Sequence, residues 1–198
     1  MLYHPHTVQA RASTPLGPVR LAASPAGLCG VWFEGQRHEP SRWLHGHTAW
    51  AEADDHPLLQ ETARQLQQYL GGEREGFDLP LDLSGGTPFQ QDVWRALLAI
   101  GRGGTTSYGQ LSHQLGRPRA VRAVGAAVGR NPLSVVVPCH RVLGADGSLT
   151  GYAGGLDRKT ALLALENALA AHSASRGLFA PPDFAVSTGS FALEKGLP

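Results

Sequence analysis

The chain has 198 residues, of which 42% are apolar and 17% charged, with a net charge of +1; this balance supports a buried core and excludes a disordered or low-complexity protein. No apolar run approaches the roughly 18–20 residues that cross a bilayer, and the N-terminal MLYHPHTVQA has no basic stretch followed by an apolar one, so no secretory signal is expected. The two cysteines, Cys29 and Cys139, are too few for a disulfide framework and point to a reducing, cytoplasmic setting.

In chain order, residues 7–12, 18–24 and 28–33 read as short strands. Each is β-branched or apolar in alternation, with TPLGP and SPAG supplying the turns. A stretch rich in Gly, Pro and His from about 35 to 57 reads as loop. Its histidines, His45, His47 and His56, are expected to be solvated, with no structural metal. Leu58, Leu59, Thr62, Ala63, Leu66, Tyr69 and Leu70 then recur at helical spacing, and Gly71 stops the pattern. GFDLPLDL reads as an extended connector, with a domain boundary near Ser84-Gly85-Gly86.

The second half opens with a capped helix. Thr87 caps, Pro88 fits the first helical position and Gln90 closes a capping box; Phe89, Val93, Trp94 and Leu97 form the buried stripe. Two short helices joined at Gly116-Arg117-Pro118 have the length and punctuation of a helix-turn-helix. The second, about 119–129, is unusually rich in small residues: Ala120, Ala123, Gly125, Ala126, Ala127 and Gly129. Tight packing, genome composition and close approach to a nucleic-acid backbone all account for them. LSVVVP reads as a short buried strand ended by Pro138, Asp146-Gly147 as a hairpin turn, and DRKTALLALENALA as a helix. Residues 172–198 form a tail, rich in Ser, Gly and Pro, without regular structure.

Charge divides unevenly. Residues 1–88 hold six Arg and no Lys against ten acids, giving −4, whereas residues 89–198 carry +5. Arg117, Arg119, Arg122 and Arg130 lie within fourteen residues that contain no acid. Such a segment suits either a local polyanion site or a solvated face.

Cys29, in GLCGVWF, reads as a core thiol. Cys139 is different, because the strand ends at it and His140 and Arg141 follow. A thiol attacks as thiolate, neighbouring cations lower its pKa from about 8.5, and a histidine can take its proton while a carboxylate fixes the tautomer. A Cys-His dipeptide alone does not decide between nucleophile and core residue.

The wider context does. PCHRVLGADGSLTGYAGGLDRKTALLALE, with Pro-Cys-His-Arg-Val intact at 138–142, closely resembles the active-site segment of the alkylguanine-DNA alkyltransferases, the methylated-DNA–protein-cysteine methyltransferases. The resemblance runs from about Thr87 to Glu166 through FQQDVW, SYGQL and VRAVGAAVGRNP, and the early hairpin STPLGPVRLA also looks like the start of that family's N-terminal domain. It implies an α+β protein. Residues 1–86 would form an N-terminal α/β domain with a small antiparallel sheet. Residues 87–171 would form a mainly helical DNA-binding and transfer domain with a helix-turn-helix and a short active-site strand and hairpin.

The resemblance further implies direct repair of double-stranded DNA, moving an alkyl group from the 6-oxygen of guanine, or the 4-oxygen of thymine, onto Cys139. The thioether product leaves water no easy route to free the thiolate. The protein would then be consumed one alkyl group at a time, as a monomer without a cofactor. His140 matches the residue that accepts the thiol proton through a water, Glu166 the carboxylate that orients it, and Tyr108 the phenol that donates to the departing guanine. Asn131 matches the residue tying the recognition helix to the active-site strand. Arg122 matches the finger that fills the stack when the base is flipped out. Beside it Ala123, Gly125, Arg119 and Arg130 would meet DNA, the small residues admitting the helix to a minor groove about 6 Å wide. The pocket would comprise Val142, Tyr152 and the loop Ala153-Gly154-Gly155, with Ala153 standing where some relatives have Ser. The two glycines suggest a roomy, mobile loop. A cysteine-free damage-binding module using the same groove, and a multi-turnover Cys-His-Glu hydrolase, are the competing functions. Cys139 argues against the first and Arg122 among small residues against the second.

Overall fold

A computed structural model describes residues 1–40 and 50–169. Three strands, β1 (Val8–Ala12), β2 (Val19–Ser24) and β3 (Gly27–Phe33), form an antiparallel meander, and β4 (Ala51–Glu52) adds to the far side of β1 in parallel, giving the order β3-β2-β1-β4. The expected antiparallel sheet is therefore a mixed one: its fourth strand arises within the stretch read as loop, too short to leave a period-2 pattern. Tight turns join the meander at positive-φ glycines, Gly17 and Gly27. Gly30 has a steric reason, since a Cβ there would stand 1.7 Å from the Trp32 ring.

Helix α1 (Pro57–Leu70) lays Leu59, Thr62, Leu66 and Tyr69 against the sheet, as its periodicity required. On the other sheet face Cys29 packs with Ala22, Trp32 and Trp50. Burial and the nearby Asp82 push the Cys29 thiol up to about 12, so it is an inert core residue.

Helices α2 (Pro88–Leu98), α3 (Tyr108–Gln114) and α4 (Val121–Gly129) pack on one another. The capping box expected at Thr87 and Gln90 is present, and Ser107 and Gln110 form a second one that fixes the start of α3. Trp94 Nε1 donates to Ala127 O at 2.9 Å and ties α2 to α4. A two-stranded parallel pair, β5 (Thr106–Ser107) with β6 (Val142–Leu143), precedes α5 (Leu156–Leu165).

The two halves share one hydrophobic core, with Leu21, Leu28 and Leu66 packed in the same cluster as Trp94, Leu111 and Val137. The outer edge of β3 receives Leu81 opposite Leu28 and Leu133 opposite Val31. Val31 N donates to Pro132 O and Ser134 N to Val31 O, both at 2.9 Å, so the segment leading to Cys139 hangs on the N-terminal sheet.

That segment departs from expectation. Residues 134–138 are not a strand: the chain turns tightly, Val137 N bonding to Leu133 O at 2.8 Å, with Val135 at φ +71. The three valines are buried as a strand's would be, but beyond Ser134 the backbone bonds close within the turn, and Asn131 Nδ2 takes Val137 O. Past β6 the Asp146-Gly147 turn forms, with Gly144 N on Ser148 O at 2.9 Å, but no second strand completes a hairpin. No helix among the described residues is long and apolar enough to cross a bilayer. His45, His47 and the 172–198 tail lie outside the described residues, and among those described no three or more His, Cys, Asp or Glu gather as metal ligands would.

Candidate active site

Cys139 opens a single 3-10 turn, Cys139–Arg141, that links the valine turn to β6. Asn131, just past the end of α4, controls the approach to it. Its Nδ2 donates to Val137 O at 2.8 Å and to Leu133 O at 3.3 Å and lies 3.0 Å from Cys139 Sγ, while its Oδ1 accepts from Leu133 N at 3.0 Å. A single side chain thus shapes the turn and contacts the sulfur.

The histidine and carboxylate meet as the resemblance implied. His140 Nε2 stands 2.6 Å from Glu166 Oε1, and neither side chain is exposed. Burial would raise the Glu166 pKa, but hydrogen bonds from His140, Arg141 and Tyr69 outweigh it and hold the carboxyl down at about 2. An ionised carboxylate only accepts, so Nε2 carries the hydrogen and Nδ1 the lone pair. Nδ1 is buried and has no hydrogen-bond partner among the described residues. It is the nitrogen free to take a proton.

Electrostatics at the sulfur differ from the sequence expectation of a lowered pKa. Cys139 is 4% exposed, and burial raises its pKa despite the Asn131 hydrogen bond and the nearby Lys159 ammonium. Burial also lowers the His140 pKa. In the free protein the pair is therefore neutral thiol and neutral imidazole, and ionisation awaits a change in the sulfur's surroundings.

In front of this chain lies a cavity of about 280 Å³, near the lower end of small-ligand pockets, roughly 300 Å³. Gly125, Ala126, Gly129 and Arg130 wall it from α4 and its end, and Tyr108, Gly151, Tyr152 and Ala153 wall it opposite, with Arg37 and His38 from the N-terminal half. Positions 122, 125, 126 and 129 fall on one helical face, so exposed Arg122 continues the line of small residues out of the cavity. Ala123 and Arg119 are also exposed. Cys139 does not itself line the cavity, but Tyr108 and Tyr152 do, and a negative charge on its sulfur would raise the pKa of both. The Tyr108 hydroxyl donates to Gly151 O at 3.3 Å and Thr150 O at 3.4 Å, and burial keeps it protonated.

Three expected pocket residues, Val142, Gly154 and Gly155, do not line the cavity. Val142 is fully buried behind the wall, its backbone paired with Thr106. Gly154 is also buried, and its missing Cβ answers crowding rather than looseness: a Cβ would meet the Tyr152 ring at 2.8 Å and Phe33 at 3.0 Å. The loop is pinned by Arg37 N on Ala153 O at 3.1 Å and Arg158 Nη1 on Gly154 O at 2.8 Å. Gly155, at φ +92, is the residue whose backbone needs glycine.

Sequence reasoning missed Lys159 and Tyr69. Lys159 is fully buried and donates to Val142 O at 2.6 Å and Thr150 O at 2.7 Å, joining β6 to the cavity loop. Burial brings its ammonium down to about 8, a fall that a thiolate at Cys139 would oppose. Tyr69 joins the carboxylate from α1. Both stand on apolar helical stripes, and a polar group on a buried stripe was the available signal.

The chain matches the 6-O-methylguanine DNA methyltransferase family in both halves, its ribonuclease-like domain over residues 8–83 and its DNA binding domain over residues 88–168. A methylated-DNA–protein-cysteine methyltransferase of Mycobacterium tuberculosis is 48% identical over 159 residues, covering 79% of this chain and 90% of that protein. One from Methanosarcina barkeri is 44% identical over 156 residues, covering 77% and 92%. The crystal structure of Mycobacterium tuberculosis O6-methylguanine methyltransferase superposes with a TM-score of 0.71 at 44% identity, covering 89% of this chain and 96% of that one. A structure of the Mycobacterium tuberculosis OGT protein in complex with DNA superposes equally well, covering 80% and 91%.

Proposed function

The chain belongs to the 6-O-methylguanine DNA methyltransferase family, and we propose that Cys139 is the residue through which it acts. Its activity is repair of alkylated DNA, with the alkyl group transferred to a cysteine of the protein itself, and DNA is its partner. The observations that carry the assignment of Cys139 are two contacts at adjacent residues: Asn131 Nδ2 at 3.0 Å from its sulfur, and the next residue's imidazole at 2.6 Å from Glu166.

The alkylated guanine leaves the stack and enters the cavity between α4 and the 151–153 loop, with O4-alkylthymine a second substrate. Leaving the duplex costs a few kcal/mol. Arg122, on the face that continues out of the cavity, fills the gap. The small residues behind it let α4 lie in the minor groove, with Arg119 and Arg130 against phosphates. Docking of the base changes the surroundings that hold Cys139 neutral. His140 Nδ1 then accepts the thiol proton through a water, and Glu166 stabilises the resulting imidazolium.

The Sγ–carbon bond forms as the carbon–oxygen bond to guanine breaks, and the electron pair stays on the base. The Tyr108 hydroxyl donates to that developing charge. The product is a thioether, so each molecule acts once, needing no cofactor. It works as a monomer in the cytoplasm. A hydrolytic Cys-His-Glu reading leaves the small-residue face and Arg122 without a role.

Duplex DNA carrying a labelled O6-methylguanine tests this. Label is expected on the wild-type protein and none on Cys139→Ala, which still binds the duplex. Label on the alanine variant, or repeated turnover without label on protein, would overturn the proposal.

A further inference from the structure

Tyr69 belongs to the last turn of α1, in the N-terminal half, yet its hydroxyl ends at the carboxylate of the transfer site. The residue is 1% exposed. Its O–H donates to Glu166 Oε1 at 2.5 Å, the same oxygen that takes His140 Nε2 at 2.6 Å. Arg141 spans the group, with Nε on Oε2 at 2.8 Å, and Nη2 on Oε1 at 3.2 Å and on the Tyr69 oxygen at 3.1 Å. The phenol therefore accepts from Arg141 and donates to Glu166. Phe77, with ring centroids 4.8 Å apart, and the Arg102 guanidinium, 5.5 Å from the ring centroid, hold the ring in place. A tyrosine present only for its bulk needs none of these polar partners.

Three donors share this carboxylate oxygen, and the two shortest, from the phenol and the imidazole, compete most directly for its charge. What the phenol neutralises is not available to stabilise an imidazolium. We propose that Tyr69 is a positioning residue that sets the basicity of His140 by sharing Glu166 Oε1 with it, so that the N-terminal half tunes proton removal from Cys139. This rests on the reading of His140 as the acceptor of the thiol proton.

The charged and titratable groups around the relay are Tyr69 and Arg102 beside the carboxylate, Arg141 from the 3-10 turn, and Lys159, Tyr152 and Cys139 toward the imidazole. Replacing Tyr69 by Phe changes no formal charge, since burial and Glu166 keep the phenol protonated, its pKa up at about 12. Losing its donation leaves Oε1 more charge for His140, so the imidazole becomes more basic. Neutral imidazole is the form that accepts the proton, so the acidic limb of the transfer rate moves to higher pH.

The test measures single-turnover transfer from methylated duplex as a function of pH. It follows the His140 ring nitrogens by NMR in parallel, and maps the methylated peptide in every variant. Tyr69→Phe is expected to raise the midpoint of the acidic limb and the His140 titration together, by about half a pH unit or more. 3-Fluorotyrosine at position 69, a stronger donor of similar shape, is expected to lower both. It also carries the test if the phenylalanine variant fails to fold. Unmoved midpoints with the methyl group still on Cys139, whatever the change in rate, would reduce Tyr69 to a structural residue and overturn the proposal. A methyl group mapped to another residue would instead overturn the reading of the site on which it stands.

Discussion

Asn131 Nδ2 lies 3.0 Å from Cys139 Sγ while the same side chain holds the turn that carries the cysteine. The contact lowers the thiol pKa against the larger effect of burial, so Asn131 holds the sulfur's turn and favours its charged form, as the proposed nucleophile requires. Asn131→Ala is expected to destabilise the protein by about 2–3 kcal/mol through unpaired buried backbone groups. It should also slow transfer at least tenfold. Asn131→Asp is expected to slow it further, because a carboxylate beside the sulfur opposes the thiolate. Urea unfolding together with single-turnover kinetics checks both; full activity in the aspartate variant would contradict this role.

Glu166 gives a stability prediction with a definite sign. Its folded-state pKa of about 2 lies below the ordinary 4.5, so its contribution is complete above pH 4.5 and is lost as pH falls toward 2. Glu166→Gln is expected to remove this part of the acid unfolding and to cost about 3 kcal/mol at neutral pH, since Arg141 is left without its anion. Denaturation midpoints of the two proteins across this range should converge as pH falls.

Lys159 carries the opposite linkage. Its folded-state pKa of about 8 lies below 10.5, so between these values the unfolded chain binds more protons and this group makes stability rise with pH. The penalty for burying the cation stands in full below pH 8. Lys159→Met should abolish that rise. It should also slow transfer, because the carbonyls of Val142 and Thr150 lose their common donor and Cys139 its nearby cation. Unfolding midpoints across the alkaline range and single-turnover rates measure the two effects separately.

If Arg122 fills the stack as proposed, it separates duplex repair from the chemistry. Arg122→Ala is expected to slow repair of duplex by tenfold or more while barely changing attack on free O6-methylguanine base. Duplex binding by the wild-type protein should weaken with salt and show little sequence preference. Equal slowing on both substrates would remove the flipping role.

Much of this was legible in the sequence because it depends on local pattern. The meander, α1, the capping box at Thr87 and the paired helices follow from turn residues and periodicity, and Cys139, His140 and Glu166 were matched through motif spacing. What was not legible depends on tertiary placement. Ser134–Val137 could not be told from a strand, because the valines are buried either way and the difference lies in backbone bonds that close within the turn, with the Asn131 side chain on Val137 O. Gly154 suggested looseness, yet its crowding comes from Phe33 in the other half of the chain. Lys159 and Glu166 lie at helical spacing with Leu162 and Leu163, so two charges sit on a buried stripe. Glu166 is taken up through the motif, while Lys159 on the same stripe in DRKTALLALE carries no expectation from the sequence. Tyr69 was assigned correctly to a buried stripe, but which atom its hydroxyl reaches is invisible before folding.

On the proposed function, one buried sulfur, backed by the Asn131 contact and the His140–Glu166 pair, takes the alkyl group and keeps it. Peptide mass mapping after incubation with excess methylated duplex tests it most directly. One methyl group per protein molecule is expected, carried by the peptide containing Cys139, with Cys29 unmodified and no further increase with time. Methylation at Cys29 or another residue, or demethylated DNA released beyond one equivalent from an unmodified protein, would contradict it.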